Sequence, residues 1–324
     1  MTTILITGGA GYIGNVVCNL SLQKGYMVKA VDILWFNKEV PLINFTDPRY
    51  KFTKGDICDD GLLESLLGGV DYVIHTAGVV GDPACKKFPE IARKVNYDAS
   101  INLINRAKLA GVKGLIFFST CSNYGISDGI ANEETTLKPL SPYSEAKVEI
   151  ERYLMDDVKD LDWSICRLST VYGASSRMRF DLTVNDFTLN AYINHYLDIF
   201  MPYTYRPYIH VFDVANVIVN IIESFDKAKN NVFNVGFDGE NYQKIQIAEA
   251  VREYIPDVKI EVVDKGKDAR DYQVDFSKLG EVLDTKKTHT LRDGVKEIIS
   301  LLKMGLINDP KDNIYYNTLP NIGV

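Results

Sequence analysis

The first 32 residues constrain the fold more than any other part of the chain. An apolar segment at 4–7 leads into a turn that contains Gly8, Gly11 and Gly14, and after a helical pattern a second apolar segment ends at Asp32. This order predicts a strand, a glycine turn, a helix and a second strand, as in the opening βαβ unit of a dinucleotide-binding domain. The glycines let the backbone approach a diphosphate, whose charge lies at the N-terminus of the helix.

The acid at the end of the second strand indicates which dinucleotide binds. Asp32 lies 18 residues beyond Gly14, close to the separation of roughly 20 residues expected for the carboxylate that binds the adenosine ribose hydroxyls. A carboxylate there repels the 2′-phosphate of NADP, which usually has an arginine beside it. Residues 33–38 contain no arginine, so NAD is predicted. A flexible turn in an unrelated α/β protein explains the glycines but not the acid.

Composition and charge narrow the range of partners. The 324 residues are enough for one large domain or for two that share a cleft, and with 46% hydrophobic and 24% charged residues the chain can bury a substantial core. The net charge is −7 and the basic residues are scattered, which argues against nucleic acid. No apolar run approaches the ~20 residues of a membrane span, and the N-terminus has no secretory pattern. We therefore expect a cytoplasmic protein without a nucleic-acid or membrane partner.

The cysteines and histidines carry no metal or disulfide pattern. The five cysteines are an odd set without a C-x-x-C pair, and the four histidines have no metal-ligand spacing. Reduced thiols in a cytosolic protein are the simpler interpretation, with Cys121 as the one candidate for another role. No metal is predicted.

Strand and helix patterns alternate along the first half of the chain. Apolar segments suited to buried parallel strands recur at 4–7, 27–32, 50–53, 72–75, 115–119 and 164–168. Helical patterns lie between most of them, at 13–24, 61–67, 89–110 and 142–158. This alternation predicts an α/β protein with a Rossmann-type doubly wound parallel sheet.

The alternation ends beyond Gly173. Helices at 214–225 and 244–254 and strands at 232–235 and 259–263 predict a smaller C-terminal α/β lobe that binds substrate and closes over the cofactor. The expected division is an NAD-binding domain at 1–175, to which 206–236 returns, a substrate-binding lobe at 176–205 and 237–310, and a surface tail at 311–324.

A second segment, at 141–147, carries a candidate for acid–base chemistry. Ser141 followed by Pro142 is a typical helix start, which places Tyr143 in the first turn and Lys147 four residues later on the same face. A tyrosine with a pKa of about 10 is a poor base at neutral pH. The lysine cation, the helix N-terminus and an oxidised nicotinamide all favour the phenolate. The alternative is an ordinary surface pair.

A hydroxyl-rich segment at 117–125 follows the fifth predicted strand. It contains Thr120 and Ser122, and ligands of open α/β sheets bind beyond such strand ends. Hydroxyls there can hold a substrate alcohol and its developing carbonyl while Tyr143 takes the proton.

Nearly the whole chain resembles the extended short-chain dehydrogenase/reductases, specifically the nucleotide-sugar epimerase/dehydratase family. The resemblance rests on T-G-G-A-G-Y-I-G at 7–14, G-D-I at 55–57, H-T-A-G at 75–78, S-T-C-S-N-Y-G at 119–125, Y-S-E-A-K at 143–147, R-P-Y-I-H-V-F-D at 206–213 and D-A-R-D-Y-Q-V-D at 268–275.

The resemblance implies a role for individual residues. Tyr143 resembles the catalytic base, Lys147 the residue that binds the nicotinamide ribose and acidifies the tyrosine, and Thr120 their hydroxyl partner. The implied cofactor contacts are Gly8, Gly11, Tyr12, Ile13, Gly14, Asp32, Asp56, Ile57, Ala77, Gly78, Tyr143 and Lys147. The implied substrate contacts are Cys121, Ser122, Asn185, Arg206 and Arg270. A surface salt bridge or a helix cap is the alternative for Arg270 and Asn185, whereas a guanidinium at Arg206 suits a diphosphate.

Departures from the family pattern bear on the reaction. Family members that are 4,6-dehydratases carry an Asp-Glu pair directly after the catalytic threonine, where this chain has Cys121 and Ser122, so dehydration is disfavoured. The segment 167–187 resembles a bacterial subgroup that acts on GDP-, CDP- or dTDP-linked deoxysugars and heptoses, some of which oxidise C4 with tightly held NAD. The resemblance thus implies NAD-dependent chemistry on a nucleoside-diphosphate sugar in surface-polysaccharide or deoxysugar biosynthesis.

Three reactions and one non-catalytic role remain open. The family favours an epimerase, and segment 167–187 favours a net 4-dehydrogenase. A 4-ketoreductase would run the same step in reverse, and all three share the same chemistry at the sugar. A non-catalytic NAD sensor has no need of Thr120, Tyr143 and Lys147 together. The resemblance also implies a homodimer through helices near 89–110 and 142–158, where Ala146, Ile150, Tyr153 and Leu154 form an apolar stripe. Burial of that stripe against the chain's own sheet is the alternative.

Overall fold

Fourteen strands and twelve α-helices make up the part of the chain that the structure, a computed structural model, describes: residues 1–36, 38–263 and 270–317. The strands are β1 (Thr3–Thr7), β2 (Met27–Asp32), β3 (Tyr50–Lys54), β4 (Tyr72–His75), β5 (Gly114–Thr120), β6 (Ile126–Ala131), β7 (Asp162–Leu168), β8 (Thr170–Tyr172), β9 (Tyr196–Phe200), β10 (Tyr205–His210), β11 (Asn231–Val235), β12 (Asn241–Gln243), β13 (Lys259–Val263) and β14 (Asp271–Val274).

The helices alternate with the strands through most of the chain. They are α1 (Gly14–Gln23), α2 (Asp60–Leu67), α3 (Asp82–Lys87), α4 (Pro89–Arg93), α5 (Ala99–Leu109), α6 (Pro142–Arg152), α7 (Thr183–Asn194), α8 (Val211–Glu223), α9 (Phe225–Ala228), α10 (Lys244–Arg252), α11 (Ser277–Leu283) and α12 (Leu291–Lys303). A π-helical turn at Lys94–Asp98 joins α4 to α5, and another at Tyr153–Asp157 extends α6.

Seven of the strands form one parallel sheet, in the order β11-β7-β5-β4-β1-β2-β3. The predicted α/β class with a doubly wound sheet is therefore confirmed. The strand order reverses direction between β1 and β4, and ligands of such sheets bind beyond the carboxyl ends of the strands at that switch point. Thr7, His75 and Thr120 lie at those ends.

Each face of the sheet packs against its own layer of helices. Because neighbouring residues of a strand point to opposite faces, Ile4 and Ile6 belong to the core beneath α1 and α8, while Leu5 belongs to the core beneath α2, α5 and α6. All three side chains are fully buried. Helices thus cover both faces of the sheet, and the carboxyl ends of its strands remain accessible to a ligand.

The C-terminal half adds smaller sheets and a third core. Strands β12, β10 and β8 form a three-stranded sheet, whereas β13 pairs with β9 and β14 with β6. Tyr172, Phe187, Ile247 and Val295 are among the side chains of the core that α7, α10 and α12 share. Strand β11 lies in the main sheet beside β7.

Residues 311–317, the described part of the expected surface tail, include no buried residue but contact the rest of the chain. The Phe180 amide donates a hydrogen bond to the carbonyl oxygen of Tyr315 at 2.9 Å, and the rings of Tyr315 and Tyr316 pack against the cluster around Phe180. Asn317 donates through its backbone amide to Asp181. The remainder of the predicted tail, 318–324, lies outside the described residues.

The apolar stripe on α6 packs within the chain, which corrects its assignment to a dimer interface. Ile150 and Leu154 are fully buried and Ala146 is 7% exposed. The two larger side chains belong to the core beneath the sheet, and the Tyr153 hydroxyl donates to Asn105 on α5 at 2.7 Å. The spacing is explained by the chain's own core.

Two further properties concern the whole described chain. All five cysteines are free thiols. Among the described helices, none combines the length and the apolar character that a bilayer span requires.

Candidate active site

A cavity of about 930 Å³ lies beyond the carboxyl ends of the central strands. Its walls are the glycine turn, the ends of β2 and β5, the loops after β3 and β4, the start of α6 and a segment of the C-terminal half around Arg177–Leu182. The predicted site residues that line it are Gly8, Gly11, Tyr12, Ile13, Gly14, Asp32, Asp56, Ile57, Ala77, Gly78, Thr120, Ser122, Tyr143, Lys147 and Arg270.

The glycine turn is shaped by close backbone contacts. Gly8 has a φ of +72°, and its amide donates to the carbonyl oxygen of Val31 at 2.8 Å. A Cβ at Gly8 would lie 2.8 Å from the backbone nitrogen of Ala77, and one at Gly14 would overlap the Gly8 carbonyl. Only glycine fits at these two positions, and the bare backbone leaves room for a diphosphate at the start of α1.

Asp32 is held at the end of β2 by two backbone amides. Its carboxylate oxygens accept hydrogen bonds from Ala10 at 3.1 Å and from Leu34 at 2.8 Å. Burial raises the pKa of Asp32 above its ordinary value, while both amides and the charge of Arg177 oppose the rise. The carboxylate is therefore fixed in the cavity wall, where it fits the ribose hydroxyls of NAD.

Asn96 supports the loop that follows β4, and sequence reasoning missed it. Its Oδ1 accepts from the Val79 amide at 2.8 Å, and its Nδ2 donates to the Val79 carbonyl at 2.9 Å. A Cβ at Gly78 would lie 3.0 Å from the same Oδ1. The asparagine thus holds Ala77 and Gly78 at the cavity. Asn96 lies 17 residues after Val79, so no local sequence motif indicates this contact.

Arg177 is the second residue that sequence reasoning missed. It lines the cavity close enough to Asp32 for the two charges to shift each other's pKa. An arginine therefore lies near Asp32 in the folded chain, although residues 33–38 contain none. The arginine comes from the connection between β8 and α7.

Tyr143 and Lys147 lie on the first two turns of α6, as the sequence predicts. Ser141 caps the helix through the Ser144 amide and Pro142 occupies the first turn. Lys147 is 4% exposed, and its Nζ lies 4.6 Å from the centre of the Phe117 ring and 5.9 Å from that of Tyr143. A surface pair is thereby excluded.

Without the positive charge of an oxidised nicotinamide, the pKa of Tyr143 is raised above its ordinary value. Burial is the largest cause of a rise in this pKa, the charges of Cys85 and Asp82 add to it, and Arg179 opposes it. Removal of a phenolate from water disfavours the charged form and so raises the pKa. In the protein alone the tyrosine is therefore protonated at neutral pH.

Burial also lowers the pKa of Lys147, to about 8, although the charges of Cys85 and Glu151 oppose the fall. An unfolded chain keeps a lysine pKa of about 10.4. Between these values the unfolded state binds more protons, so stability rises with pH through this window. Below it, the buried charge costs about 3 kcal/mol.

We expect Lys147→Met to stabilise the cofactor-free protein at pH 7 by up to about 3 kcal/mol, because the substitution removes a buried charge. The advantage should shrink towards zero as the pH rises from about 8 to about 10.4. Urea unfolding at both ends of this range checks the prediction, with the exposed Lys51 changed to Met as the control. A variant less stable than wild type at pH 7 would show that the lysine contributes more through its contacts than its burial costs.

Thr120 and Ser122 face the cavity, but Cys121 does not. The Thr120 hydroxyl accepts a hydrogen bond from the Ser122 amide at 3.1 Å. Cys121 is 1% exposed, and its thiol donates to the carbonyl oxygen of Arg167. Burial raises its pKa. This placement corrects the expected substrate contact of Cys121 and makes the residue part of the core.

A buried ion pair lies directly behind the hydroxyl segment. Glu151 is fully buried, and Arg167 donates to its carboxylate at 2.7 Å through one terminal nitrogen and at 3.1 Å through Nε. Ser119 and Asn123 also donate to the carboxylate. Although burial alone lowers the pKa of Arg167, the Glu151 charge holds it above its ordinary value. These bonds fix both ends of the Thr120–Ser122 turn.

Asn185 is not among the residues that line the cavity, which differs from its expected contact with the substrate. It is fully buried on α7. Its Oδ1 accepts from the Gly173 amide at 3.1 Å, while its Nδ2 donates to the Tyr12 hydroxyl at 3.2 Å. The side chain thus ties the glycine turn to the C-terminal half of the chain.

The two arginines expected to grip a diphosphate are placed differently. Arg270 lines the cavity and pairs with Asp82 at 3.1 Å. Arg206 is 7% exposed and lies with its guanidinium 5.1 Å from the centre of the Tyr272 ring, which itself lines the cavity. Although burial raises the pKa of Tyr272, the charges of Arg206 and Arg270 both act on its hydroxyl and lower this pKa, so the two arginines lie near the same ring.

One group with the composition of a metal site lies outside the cavity. His210, His289 and Glu297 have potential ligand atoms within 4.8 Å of one another. The His210 Nδ1, however, accepts from the Phe212 amide at 3.2 Å, so Nε2 carries the proton and donates to Glu297 at 2.8 Å. A protonated nitrogen is no ligand, so the group is satisfied as a hydrogen-bonded pair.

The cavity fits the predicted cofactor. A side chain at Gly8 or Gly14 would clash with the backbone, so the turn stays open to a diphosphate. Asp32 is held in place for the ribose hydroxyls. Buried donors of Arg177 have no hydrogen-bond partner among the described residues. NAD would lie between the glycine turn and Asp32 at one end and Tyr143 and Lys147 at the other.

Known proteins are similar to this chain in sequence. The model of the NAD dependent epimerase/dehydratase family matches residues 4–236. UDP-glucose 4-epimerase of Lactobacillus helveticus is 32% identical over 178 residues, which span 53% of this chain and only 53% of that relative. UDP-glucuronic acid decarboxylase 1 of Arabidopsis thaliana is 25% identical over 94% of this chain and 71% of its own length.

A solved structure agrees over nearly the full length. UDP-glucose 4-epimerase of Thermotoga maritima with UDP-glucose superimposes with a TM-score of 0.83 at 26% identity, covering 94% of this chain and 100% of that one. Together with the match to the family model, this establishes that the chain belongs to the NAD dependent epimerase/dehydratase family and is an enzyme of the extended short-chain dehydrogenase/reductases with NAD as its cofactor.

Proposed function

We propose that this enzyme is a nucleotide-sugar 4-epimerase, which oxidises carbon 4 of a nucleoside-diphosphate sugar and then reduces it from the opposite face. The observation that carries the proposal is the single cavity in which the dinucleotide turn meets Thr120, Tyr143 and Lys147. Relatives named as UDP-glucose 4-epimerases support it, and a uridine nucleotide is accordingly the first to test.

The residues of the cavity divide the work at the sugar. Bound NAD supplies the hydride acceptor and, when oxidised, a positive charge. Tyr143 would lose its own proton when NAD⁺ is bound, because the cofactor charge and the Lys147 cation favour the phenolate. The phenolate then takes the proton of the sugar hydroxyl as the carbon loses its hydride. Thr120 and Ser122 hydrogen-bond the same oxygen. For reduction, Tyr143 returns the proton after the keto sugar has turned its other face.

Arg270 is the described residue best placed for the substrate diphosphate. Its guanidinium lines the cavity beside Asp82, and a guanidinium can bind phosphate oxygens with two donors. The Arg206 guanidinium packs over the Tyr272 ring, 5.1 Å from its centre. We assign it a positioning role for that ring in place of the expected direct contact.

A net 4-dehydrogenase or 4-ketoreductase acting on a GDP-, CDP- or dTDP-linked hexose or heptose is the second candidate, favoured by the resemblance of segment 167–187. Dehydration is opposed by the turn after Thr120, where Cys121 is turned into the core and Ser122 has no acidic group. A sensor role is opposed by the presence of the whole catalytic set in one cavity.

The fate of the C4 hydrogen distinguishes these reactions. We expect a UDP-sugar labelled with deuterium at C4 to give its 4-epimer with the label retained, without accumulation of reduced nicotinamide. NMR of the sugar and absorbance of the cofactor record both. Stoichiometric reduced nicotinamide together with a released keto sugar would identify a dehydrogenase, and absence of any reaction with UDP-, GDP-, CDP- and dTDP-sugars would overturn the proposal.

Three wider assignments are proposed without a contact in the structure that carries them. The homodimer rests on the family resemblance, since the α6 stripe is buried within the chain. A cytoplasmic location rests on the free thiols, which are usual in a reducing compartment. A place in surface-polysaccharide or deoxysugar biosynthesis rests on the resemblance of segment 167–187.

A further inference from the structure

Arg177 is a buried cation that lacks a matching group. The residue is 3% exposed, yet its Nε and one terminal nitrogen are without hydrogen-bond partners among the described residues. The ring of Phe36 lies against the guanidinium, 4.0 Å from its central carbon. Buried charged donors are rarely left unpaired, so this position calls for an acceptor that residues 1–36, 38–263 and 270–317 do not provide.

The two nearest carboxylates are already engaged. Arg179 donates twice to Asp181, at 3.0 and 2.8 Å, and so takes up that charge. Both oxygens of Asp32 accept backbone amides. Burial and the neighbouring Arg179 lower the pKa of Arg177 to about 9, as expected for a guanidinium whose charge is poorly compensated.

The location of Arg177 indicates which anion it meets. The residue lines the cavity, and the charges of Asp32 and Tyr12 both act on it. Asp32 marks the adenosine ribose and Tyr12 belongs to the glycine turn, where the diphosphate lies. The Asp32 carboxylate repels a 2′-phosphate, and the diphosphate of the sugar nucleotide is assigned to Arg270, so the NAD diphosphate is the anion nearest to Arg177.

We propose that Arg177 binds the phosphate that adjoins the adenosine ribose of NAD. The residue is a cofactor contact contributed by the connection between β8 and α7, and the charge of Tyr12 in the glycine turn acts on it. Backbone amides and a helix N-terminus supply only partial charges, whereas a guanidinium brings a full charge and two parallel donors. The proposal depends on the cofactor and not on which sugar reacts.

Substitution of the guanidinium should weaken only ligands that carry this phosphate. We expect Arg177→Met to bind NAD and AMP roughly 10- to 100-fold more weakly than wild type, in line with hydrogen bonds to charged groups. Adenosine should bind within about threefold of wild type, since it lacks the phosphate. Fluorescence of Trp35, which lines the cavity, reports binding, and NAD retained through gel filtration gives a second measure.

Two further variants control the experiment. Arg292→Met removes an exposed arginine paired with Glu253 and should leave all three affinities unchanged. Arg177→Lys should recover part of the binding of NAD and AMP, because a point charge remains. The ligand-free melting temperature of Arg177→Met should not fall, since an unpaired buried cation is removed. Unchanged AMP binding, or an equal loss for adenosine, overturns the proposal.

Discussion

Tyr143→Phe should abolish turnover while NAD stays bound. The substitution removes only the ionisable hydroxyl, and general acid–base catalysis contributes about 10²–10⁴-fold to the rate. The ring lies in the cavity wall on the first turn of α6, and phenylalanine keeps its shape. We therefore expect the loss in kcat, measured as formation of the 4-epimer, with the amount of NAD retained on gel filtration unchanged.

Tyr153→Phe is the matched control for this substitution. Tyr153 follows the same helix, but its hydroxyl donates to Asn105 and does not line the cavity. The control should turn over at the wild-type rate. Retention of more than half of wild-type activity by Tyr143→Phe would show that another group takes the proton. A variant that has lost NAD would point to a structural role of the hydroxyl.

The main sheet was predictable because its strands are buried on both faces. Such strands are short apolar runs between helical patterns, and those predicted at 27–32 and 72–75 match β2 and β4 residue for residue. The helix predicted at 89–110 corresponds to α4, a π-helical turn and α5, which follow one another without a gap from Pro89 to Leu109. Burial on both faces leaves little ambiguity in the pattern.

The C-terminal half was less predictable because one of its helices has buried polar side chains and two of its strands are very short. Helix α7 was not predicted, and Asn185 and Thr188 on it are fully buried. Polar residues at core positions interrupt the apolar periodicity from which a helix is recognised. Strands β8 and β12 have three residues each, too few for an alternating pattern.

The candidate site shows the same division between local and distant signals. The glycine turn with Asp32, and Tyr143 with Lys147, are each encoded within a short segment, and the structure brings both to one cavity. Arg177 and Asn96 act on residues far away in sequence, so no spacing indicates them. The direction of the Tyr143 pKa shift depends on burial, which only the folded chain determines.

The buried pair of Glu151 and Arg167 is the distant contact with the largest expected effect on stability. We expect Glu151→Leu to lower the free energy of unfolding by about 3–5 kcal/mol, because the substitution leaves the Arg167 guanidinium buried without its carboxylate. Arg167 is only 3% exposed, so water cannot replace the lost partner. Urea unfolding at pH 7 with a fixed NAD concentration measures the change.

The double variant Glu151→Leu/Arg167→Met separates the cost of an unpaired charge from the loss of packing. With both charges removed, apolar side chains fill the site, and replacement of a buried pair by apolar residues is often neutral or stabilising. We expect it to recover most of the stability, although Ser119 and Asn123 lose an acceptor. A single variant within about 1 kcal/mol of wild type, well below the cost of an unpaired buried charge, would contradict the prediction, as would a double variant no more stable than the single one. A double variant no more stable than the single one would mean that the carboxylate stabilises the protein mainly through Ser119 and Asn123, which flank the Thr120–Ser122 turn.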